Sequence, residues 1–238
     1  MRKLMLSFAA LALVAAPAAA SPNLETLLQK HFDAQGGLDR LKAARSVSFT
    51  TIDTVDGKTT KVSVTRARPN LMRYESNGPE GVMVKAFDGQ TGWYAKAGKA
   101  ELMPADKAVG MKSKAAFDDP LIDAEKRGHS VKVVAVEDRS YVIELTLASG
   151  DTQRRYIDRT SYLETKRVAS WTYEGKAHSK TVTFSDFKKT DGIVTAHAME
   201  WEHDGKKGRS VVESVKWNGR IDVALFAPPK GATVAVSK

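Results

Sequence analysis

The chain has 238 residues, a formal net charge of +9 at pH 7 and no cysteine. A chain without cysteine cannot build a disulfide framework, so its stability has to come from a hydrophobic core. It also has no cysteine that could carry a lipid, which excludes a lipoprotein. The basic excess suits an anionic surface such as lipid head groups.

The N-terminus has the three parts of a secretory signal peptide. Arg2 and Lys3 are followed by an apolar stretch up to Ala16, and small residues precede Ser21. This apolar stretch is shorter than the roughly 20 residues that a membrane-spanning helix needs. We therefore predict that residues 1–20 are a signal peptide cleaved after Ala20, and that the mature protein is periplasmic. Loss of Arg2 and Lys3 would lower the net charge from +9 to about +7.

Two helices are predicted at the start of the mature chain. Leucine and phenylalanine recur at helical spacing from Leu24 to Phe32, and Asn23 is suited to the N-cap position. The Gly36-Gly37 pair ends this helix, and a shorter one is predicted from Leu38 to Ala44.

From Val47 onward, apolar and polar residues alternate as in half-buried strands. Turn signals such as Asp56-Gly57, Asp191-Gly192 and Asp204-Gly205 separate these runs, which predicts ten or eleven strands joined as hairpins. The alternation places Ile193, Thr195, His197, Met199 and Trp201 on one face of a strand. It likewise predicts a shared face for Val211, Glu213, Val215 and Trp217.

One region, residues 104–128, interrupts the alternation and predicts one or two short helices. No Ser-, Gly- or Pro-rich linker divides the chain, so residues 21–238 are predicted to form a single domain. The predicted fold class is α+β, mostly β. A long antiparallel sheet curls because strand twist accumulates, and helices over its concave face would close a cavity.

No motif for catalysis or metal binding is present in the sequence. There is no Gly-x-Ser-x-Gly elbow, no cysteine nucleophile and no glycine-rich phosphate loop. His197 and His203 would share a strand face about 20 Å apart, too far for one metal ion. We therefore predict that the protein is not an enzyme and needs no cofactor.

Large, adaptable apolar side chains are the distinctive feature, and methionine suits surfaces that accept chains of varying shape. We predict that ten of them line a lipid-binding cavity: Phe49, Met72, Tyr74, Met83, Phe87, Trp93, Met103, Met111, Phe117 and Trp201.

Several segments resemble the LolA-like family of periplasmic proteins that sort outer-membrane lipoproteins. These are the segments at residues 32–43, 68–75, 86–93, 117–123, 126–129, 156–158, 162–164, 184–187 and 221–229. The resemblance implies a half-open antiparallel barrel with helices as a lid over an apolar cavity. It implies a carrier of acyl chains, although relatives bind other lipids or peptides. An arginine that holds the lid could be any of Arg45, Arg66, Arg68 and Arg73.

The function predicted from these observations is a non-enzymatic carrier that encloses lipid or lipoprotein acyl chains for outer-membrane sorting or biogenesis. The expected partners are the cargo and, transiently, membrane proteins or an anionic membrane surface; we expect a monomer that binds no nucleic acid. One alternative is a sensor or assembly factor that binds a peptide along a sheet edge. The other is a lipid or glycan hydrolase whose acid and base come from distant strands.

Overall fold

A computed structural model describes residues 22–234 of the chain, and the predicted signal peptide at residues 1–20 lies outside them. The helices are α1 (Leu24–Ala34), α2 (Leu38–Ala43) and α3 (Ala105–Ala115), with short 3₁₀ turns at Glu125–Arg127 and Val223–Leu225. The strands are β1 (Ser46–Val55), β2 (Lys58–Ala67), β3 (Leu71–Gly78), β4 (Gly81–Phe87), β5 (Gly92–Lys96), β6 (Lys99–Leu102), β7 (Ser130–Val136), β8 (Ser140–Thr146), β9 (Thr152–Asp158), β10 (Glu164–Tyr173), β11 (Lys176–Thr190), β12 (Ile193–His203), β13 (Lys206–Trp217) and β14 (Thr233–Val234).

All fourteen strands form one continuous sheet in the order β14-β6-β5-β4-β3-β2-β1-β13-β12-β11-β10-β9-β8-β7. Neighbours are antiparallel except for β14, which pairs parallel with β6. The central pair brings β1 against β13, so the two halves of the chain meet in the middle of the sheet. The sheet is curved and forms a half-open barrel with helices on its concave face, which confirms the predicted fold class.

The predicted helices are present where the sequence places them. Asn23 caps α1, since its side-chain oxygen accepts a hydrogen bond of 3.2 Å from the backbone N–H of Thr26. Gly36 follows α1 with φ +115°, and a Cβ there would lie 2.2 Å from the Gly192 carbonyl oxygen. Glycine therefore lets the end of α1 approach the β11–β12 turn, where Val194 N–H donates to the Gln35 carbonyl at 2.9 Å. The predicted helical interruption is present as α3 and the 3₁₀ turn at Glu125–Arg127.

The predicted number of ten or eleven strands is wrong, because short hairpins were overlooked. The β5–β6 turn is formed by Ala97 and Gly98, and the β7–β8 turn by residues 137–139, which include no glycine. Ala97 adopts a left-handed φ of 50°, a conformation that its side chain does not favour. A search for Asp-Gly and Asn-Gly pairs therefore misses both turns.

The prediction of one shared face for Val211, Glu213, Val215 and Trp217 is also wrong. The register of β13 against β1 shifts between Thr50 and Thr51, where Thr50 pairs with Ser214 and Thr51 with Val212. Glu213 is the extra residue of this β-bulge, and a one-residue shift moves side chains to the other face. Val212 thus joins Trp217 on the concave face, whereas Val211 is 38% exposed.

The hydrophobic core lies in separate clusters rather than along the whole sheet. At one end, α1 and α2 cover β7–β9, with Leu27 and Phe32 packed against Ile143, Leu145 and Ile157. At the other end, α3 covers β3–β5, with Met111 and Ala115 packed against Phe87. The helices thus cover the two ends of the concave face and leave its centre for a cavity.

The C-terminal segment packs against the convex face of β3–β6. Trp93, Val84 and Ala86 form a cluster there, and the Trp93 indole N–H donates to the Phe226 carbonyl at 2.7 Å. Phe226 itself is fully buried. Trp93 is therefore held on the side of the sheet opposite to Phe87.

Candidate functional site

An apolar cavity of about 500 Å³ lies in the centre of the concave face. Its walls come from β1, β2, β11, β12 and β13, where valines and aromatic residues alternate with outward-facing polar residues. Its apolar lining residues are Val47, Phe49, Val62, Val64, Tyr74, Phe117, Leu163, Phe184, Phe187, Val194, Ala196, Met199, Val212 and Trp217. We call this space the apolar lobe.

A second space of about 700 Å³, the polar lobe, is continuous with it. Its lining includes Lys114, Asp118, Arg127, His129 and Gln153, in contrast to the valine-rich wall of the first. The residues that border both lobes are Gln35, Arg66, Phe117, Arg167, Val194, Thr195 and Trp217. We call this boundary the junction.

A buried network of charged side chains forms one wall of the junction. Arg155 is fully buried and donates from Nη1 to both carboxylate oxygens of Asp119, at 2.9 and 2.7 Å. Arg167 donates to Glu164 at 2.7 and 2.6 Å, and Glu164 lies 3.6 Å from Arg155. Burial opposes ionisation of Asp119, but Arg155 and Arg167 outweigh it and hold the pKa of Asp119 well below its usual range.

Two arginines, Arg66 in β2 and Arg68 just after it, tie the covering segments to the sheet. Arg68 donates to both carboxylate oxygens of Asp118 and to the Ala44 carbonyl at 2.6 Å, and its guanidinium lies over the Phe117 ring. Arg66 donates to the Lys114 carbonyl at 2.6 Å, near the end of α3. Of the four arginines considered from sequence, Arg68 and Arg66 therefore contact helical cover, while Arg73 contacts Glu75 and the Leu225 carbonyl.

A third hollow of about 850 Å³ lies at the tips of β10–β13. It contains Trp171 stacked on His178, with His203 5.3 Å from the Trp171 ring centre. His178 Nδ1 lies 3.1 Å from an Asp204 carboxylate oxygen. Within residues 22–234, no group of three or more His, Cys, Asp or Glu side chains is placed to hold a metal ion.

The structure places the ten predicted wall residues in several environments. Phe49, Tyr74 and Phe117 line the apolar lobe. Four others pack together in the cluster between α3 and the sheet: Met72, Phe87, Met103 and, from α3 itself, Met111. Trp93 lies on the convex face, as described above. Met83 is half-buried on β4 opposite Ser76, and Trp201 covers Gly208 on β13.

Most of the residues that line the apolar lobe are not among the ten predicted from the sequence, which include four methionines and two tryptophans but no valine. The stronger signal is the alternation of Val47 with Phe49 and of Val62 with Val64 on paired strands. These valines are ordinary strand residues, and only the absence of a helix over them distinguishes wall from core.

No helix in the described part of the chain is long and apolar enough to cross a bilayer.

Comparison with known proteins identifies the fold. No family model matches the chain, and no curated protein matches it. A LolA superfamily protein from Nitrosomonas europaea is 12% identical with a TM-score of 0.58, covering 87% of this chain and 98% of its own. A Vibrio parahaemolyticus domain classed with outer membrane lipoprotein-sorting proteins is 12% identical with a TM-score of 0.54, covering 84% and 94%. A DUF1329 family protein from Desulfovibrio piger is 14% identical with a TM-score of 0.54, covering 83% and 95%. At these identities the likeness shows a shared fold, which is LolA-like.

Proposed function

We propose that this chain, which has the LolA-like fold, is a periplasmic, non-enzymatic carrier that encloses the acyl part of a lipid or acylated protein. The observation that carries the proposal is the apolar lobe, a cavity of about 500 Å³ between the two helix-covered ends of the sheet. The structural relative from Vibrio parahaemolyticus, whose name places it among lipoprotein-sorting proteins, supports the same function.

The need for such a cavity follows from the cost of exposing acyl chains to water. Each methylene transferred to water costs about 0.8 kcal/mol, so a chain of about 15 methylenes costs about 12 kcal/mol. A carrier lowers this cost by offering an apolar wall. The wall here is built mainly from valine and phenylalanine side chains, which make no hydrogen bonds that would fix one cargo geometry.

The first experiment is mass spectrometry of the protein purified from a periplasmic extract, under native conditions and after solvent extraction. A stoichiometric lipid or acylated molecule is the expected result. A bound peptide would instead favour the alternative of a peptide-binding sensor. An empty protein that also fails to take up a fluorescent fatty acid would refute the carrier function.

A matched pair of variants tests the location of the site. Val212 lines the apolar lobe, whereas its neighbour Val211 is on the opposite face. Val212→Phe fills part of the lobe and should weaken fatty-acid uptake at least about tenfold, the order of one or two lost methylene contacts. Val211→Phe should leave uptake unchanged. Equal uptake by both variants would place the binding site elsewhere.

A further inference from the structure

We propose that the cargo is a single acyl chain ending in a carboxylate or phosphate, and that Arg66 and Trp217 bind this anionic head group at the junction. The inference rests on the proposed function and names the ligand class of the same site. It follows from four features: the positions of Arg66 and Trp217 on the sheet, the unpaired charge of Arg66, buried polar atoms without hydrogen-bond partners, and the volume of the apolar lobe.

The first feature is the position of Arg66 and Trp217 on the sheet. Val47 of β1 pairs with Trp217 of β13 on one side and with Arg66 of β2 on the other. The three residues therefore form a row across the concave face, in which Arg66 and Trp217 are two strands or about 10 Å apart. The residue between them in this row is Val47, whose side chain is short and has no hydrogen-bonding group.

The second feature is the charge of Arg66. This side chain is half-buried, and the described residues include no carboxylate that forms an ion pair with it. Its one hydrogen bond goes to the Lys114 carbonyl, so most of its N–H groups remain available. Burial lowers the pKa of Arg66, as expected for a cation removed from water without a compensating anion. Arg68, two residues further along the chain, has such an anion in Asp118.

The third feature is a set of buried polar atoms without hydrogen-bond partners. Within the described range, these atoms are Trp217 Nε1, Thr195 Oγ1 and His197 Nε2. Trp217 and Thr195 border both lobes, and His197 lies between two cavity-lining residues on the same face of β12. An indole N–H can only donate, and a hydroxyl can donate as well. Donors that are buried without acceptors are costly, so this site favours a ligand that brings oxygen acceptors.

The volume of the apolar lobe limits the number of acyl chains that it can hold. At about 30 Å³ for a group the size of a water molecule, a space of this volume holds on the order of 15 such groups. That corresponds to the size of one acyl chain. With the chain in the apolar lobe, its head group reaches the junction and extends toward the polar lobe, where Lys114 and Arg127 lie.

The test compares ligands that share one chain and differ in head group: lauric acid, lauryl phosphate and lauryl alcohol. Binding of each to the protein from the periplasmic extract is measured by isothermal titration calorimetry. Arg66→Gln should lower the affinity for the two anions at least about tenfold and leave that for the alcohol unchanged, because hydrogen bonds to charged groups are the strong ones. Arg66→Lys keeps the charge without the guanidinium fork and should restore part of the loss.

Two further variants complete the design. Trp217→Phe keeps an aromatic ring but removes the N–H donor, and it should weaken the binding of the two anionic ligands about two- to tenfold. Arg154→Gln removes the same charge from a residue on the other face that pairs with Glu144, and it should change nothing. Tighter binding of lauryl phosphate than of lauric acid to the unaltered protein would identify the phosphate as the preferred head group.

The outcomes separate this inference from the proposed function. If none of the three ligands binds, the carrier function itself fails. If all three bind and Arg66→Gln weakens the binding of lauryl alcohol as much as that of the two anions, Arg66 acts by holding α3 through Lys114. The head-group assignment is then refuted. The same conclusion follows if the unaltered protein binds alcohol and acids equally well.

Discussion

Replacing Arg155 tests whether the buried ion network holds the wall of the junction. Arg155 is fully buried and makes four hydrogen bonds, two to Asp119 and two to Gln153. Arg155→Met removes all of them and leaves Asp119 without its main cation, whereas Glu164 keeps its ion pair with Arg167. Breaking a buried pair from one side costs about 3–5 kcal/mol, which is the expected loss in free energy of unfolding.

The assay is urea unfolding at neutral pH followed by tryptophan fluorescence, with the free energy taken from linear extrapolation. Arg154→Met is the control, because this adjacent side chain is 60% exposed and pairs only with the surface-facing Glu144. An exposed pair contributes about 0–1 kcal/mol, so the control should stay close to the unaltered protein. If Arg155→Met lies within about 1 kcal/mol of Arg154→Met, the network does not stabilise the fold and the reasoning is refuted.

The network also predicts an acid dependence. The pKa of Asp119 is lower in the folded protein than its ordinary value of 3.8. Its ionised form therefore stabilises the fold above pH 3.8, and this contribution is lost as the pH falls below that value toward the folded pKa. Asp119→Asn, which also serves if Arg155→Met does not fold, should unfold at lower urea at pH 7 and lose less stability on acidification. An unchanged acid slope would contradict the assignment.

Two further predictions concern groups that hold the ends of the sheet. Phe226→Ala should lower the free energy of unfolding by about 3–5 kcal/mol, since it empties a fully buried site against Trp93. Leu225→Ala, at a 46% exposed position, should cost far less. Equal losses in urea unfolding would refute the docking of this segment. His31 is buried with Nδ1 2.8 Å from the Tyr162 carbonyl, and burial lowers its pKa. Its neutral form is favoured by folding, so this stability is present above pH 6.5 and lost as the pH falls through the folded pKa; an NMR titration midpoint at or above 6.5 would contradict this.

The fold could be predicted from the sequence to the extent that it depends on local signals. Helix α1 follows from leucine spacing and the Asn23 cap, and four hairpins, β1–β2, β4–β5, β11–β12 and β12–β13, follow from Asp-Gly turns. These features act over a few residues and require no knowledge of distant partners. The turn at Ala97-Gly98 does not follow from such signals, because its first residue adopts a left-handed conformation that is unusual for alanine.

The face of the sheet on which a side chain lies depends on β-bulges and distant contacts, which the alternation of apolar and polar residues does not reveal. The bulge at Glu213 exchanges the faces of β13, so Val212 lines the apolar lobe and Val211 does not. The same counting cannot tell which face of β5 is concave. Trp93 has the size and polarity of a cavity-lining residue, yet its indole N–H finds an acceptor in Phe226, 133 residues later in the chain.

The difference between wall and core in this protein comes from where the helices end. Strands β1, β2, β12 and β13 carry the same kind of alternating apolar residues as β8 and β9, but α1 covers only the latter. A cavity therefore arises because three short helices cannot cover fourteen strands. The combination of Arg66 with Trp217 could not be predicted from local signals, because the two residues come within about 10 Å of each other only through the pairing of β2 and β13 with β1, which joins residues 151 positions apart. The proposed head-group site thus depends on the pairing of the central strands. Val47 lies between Arg66 and Trp217, so variants at Val47 change the space between these two donors without changing either of them.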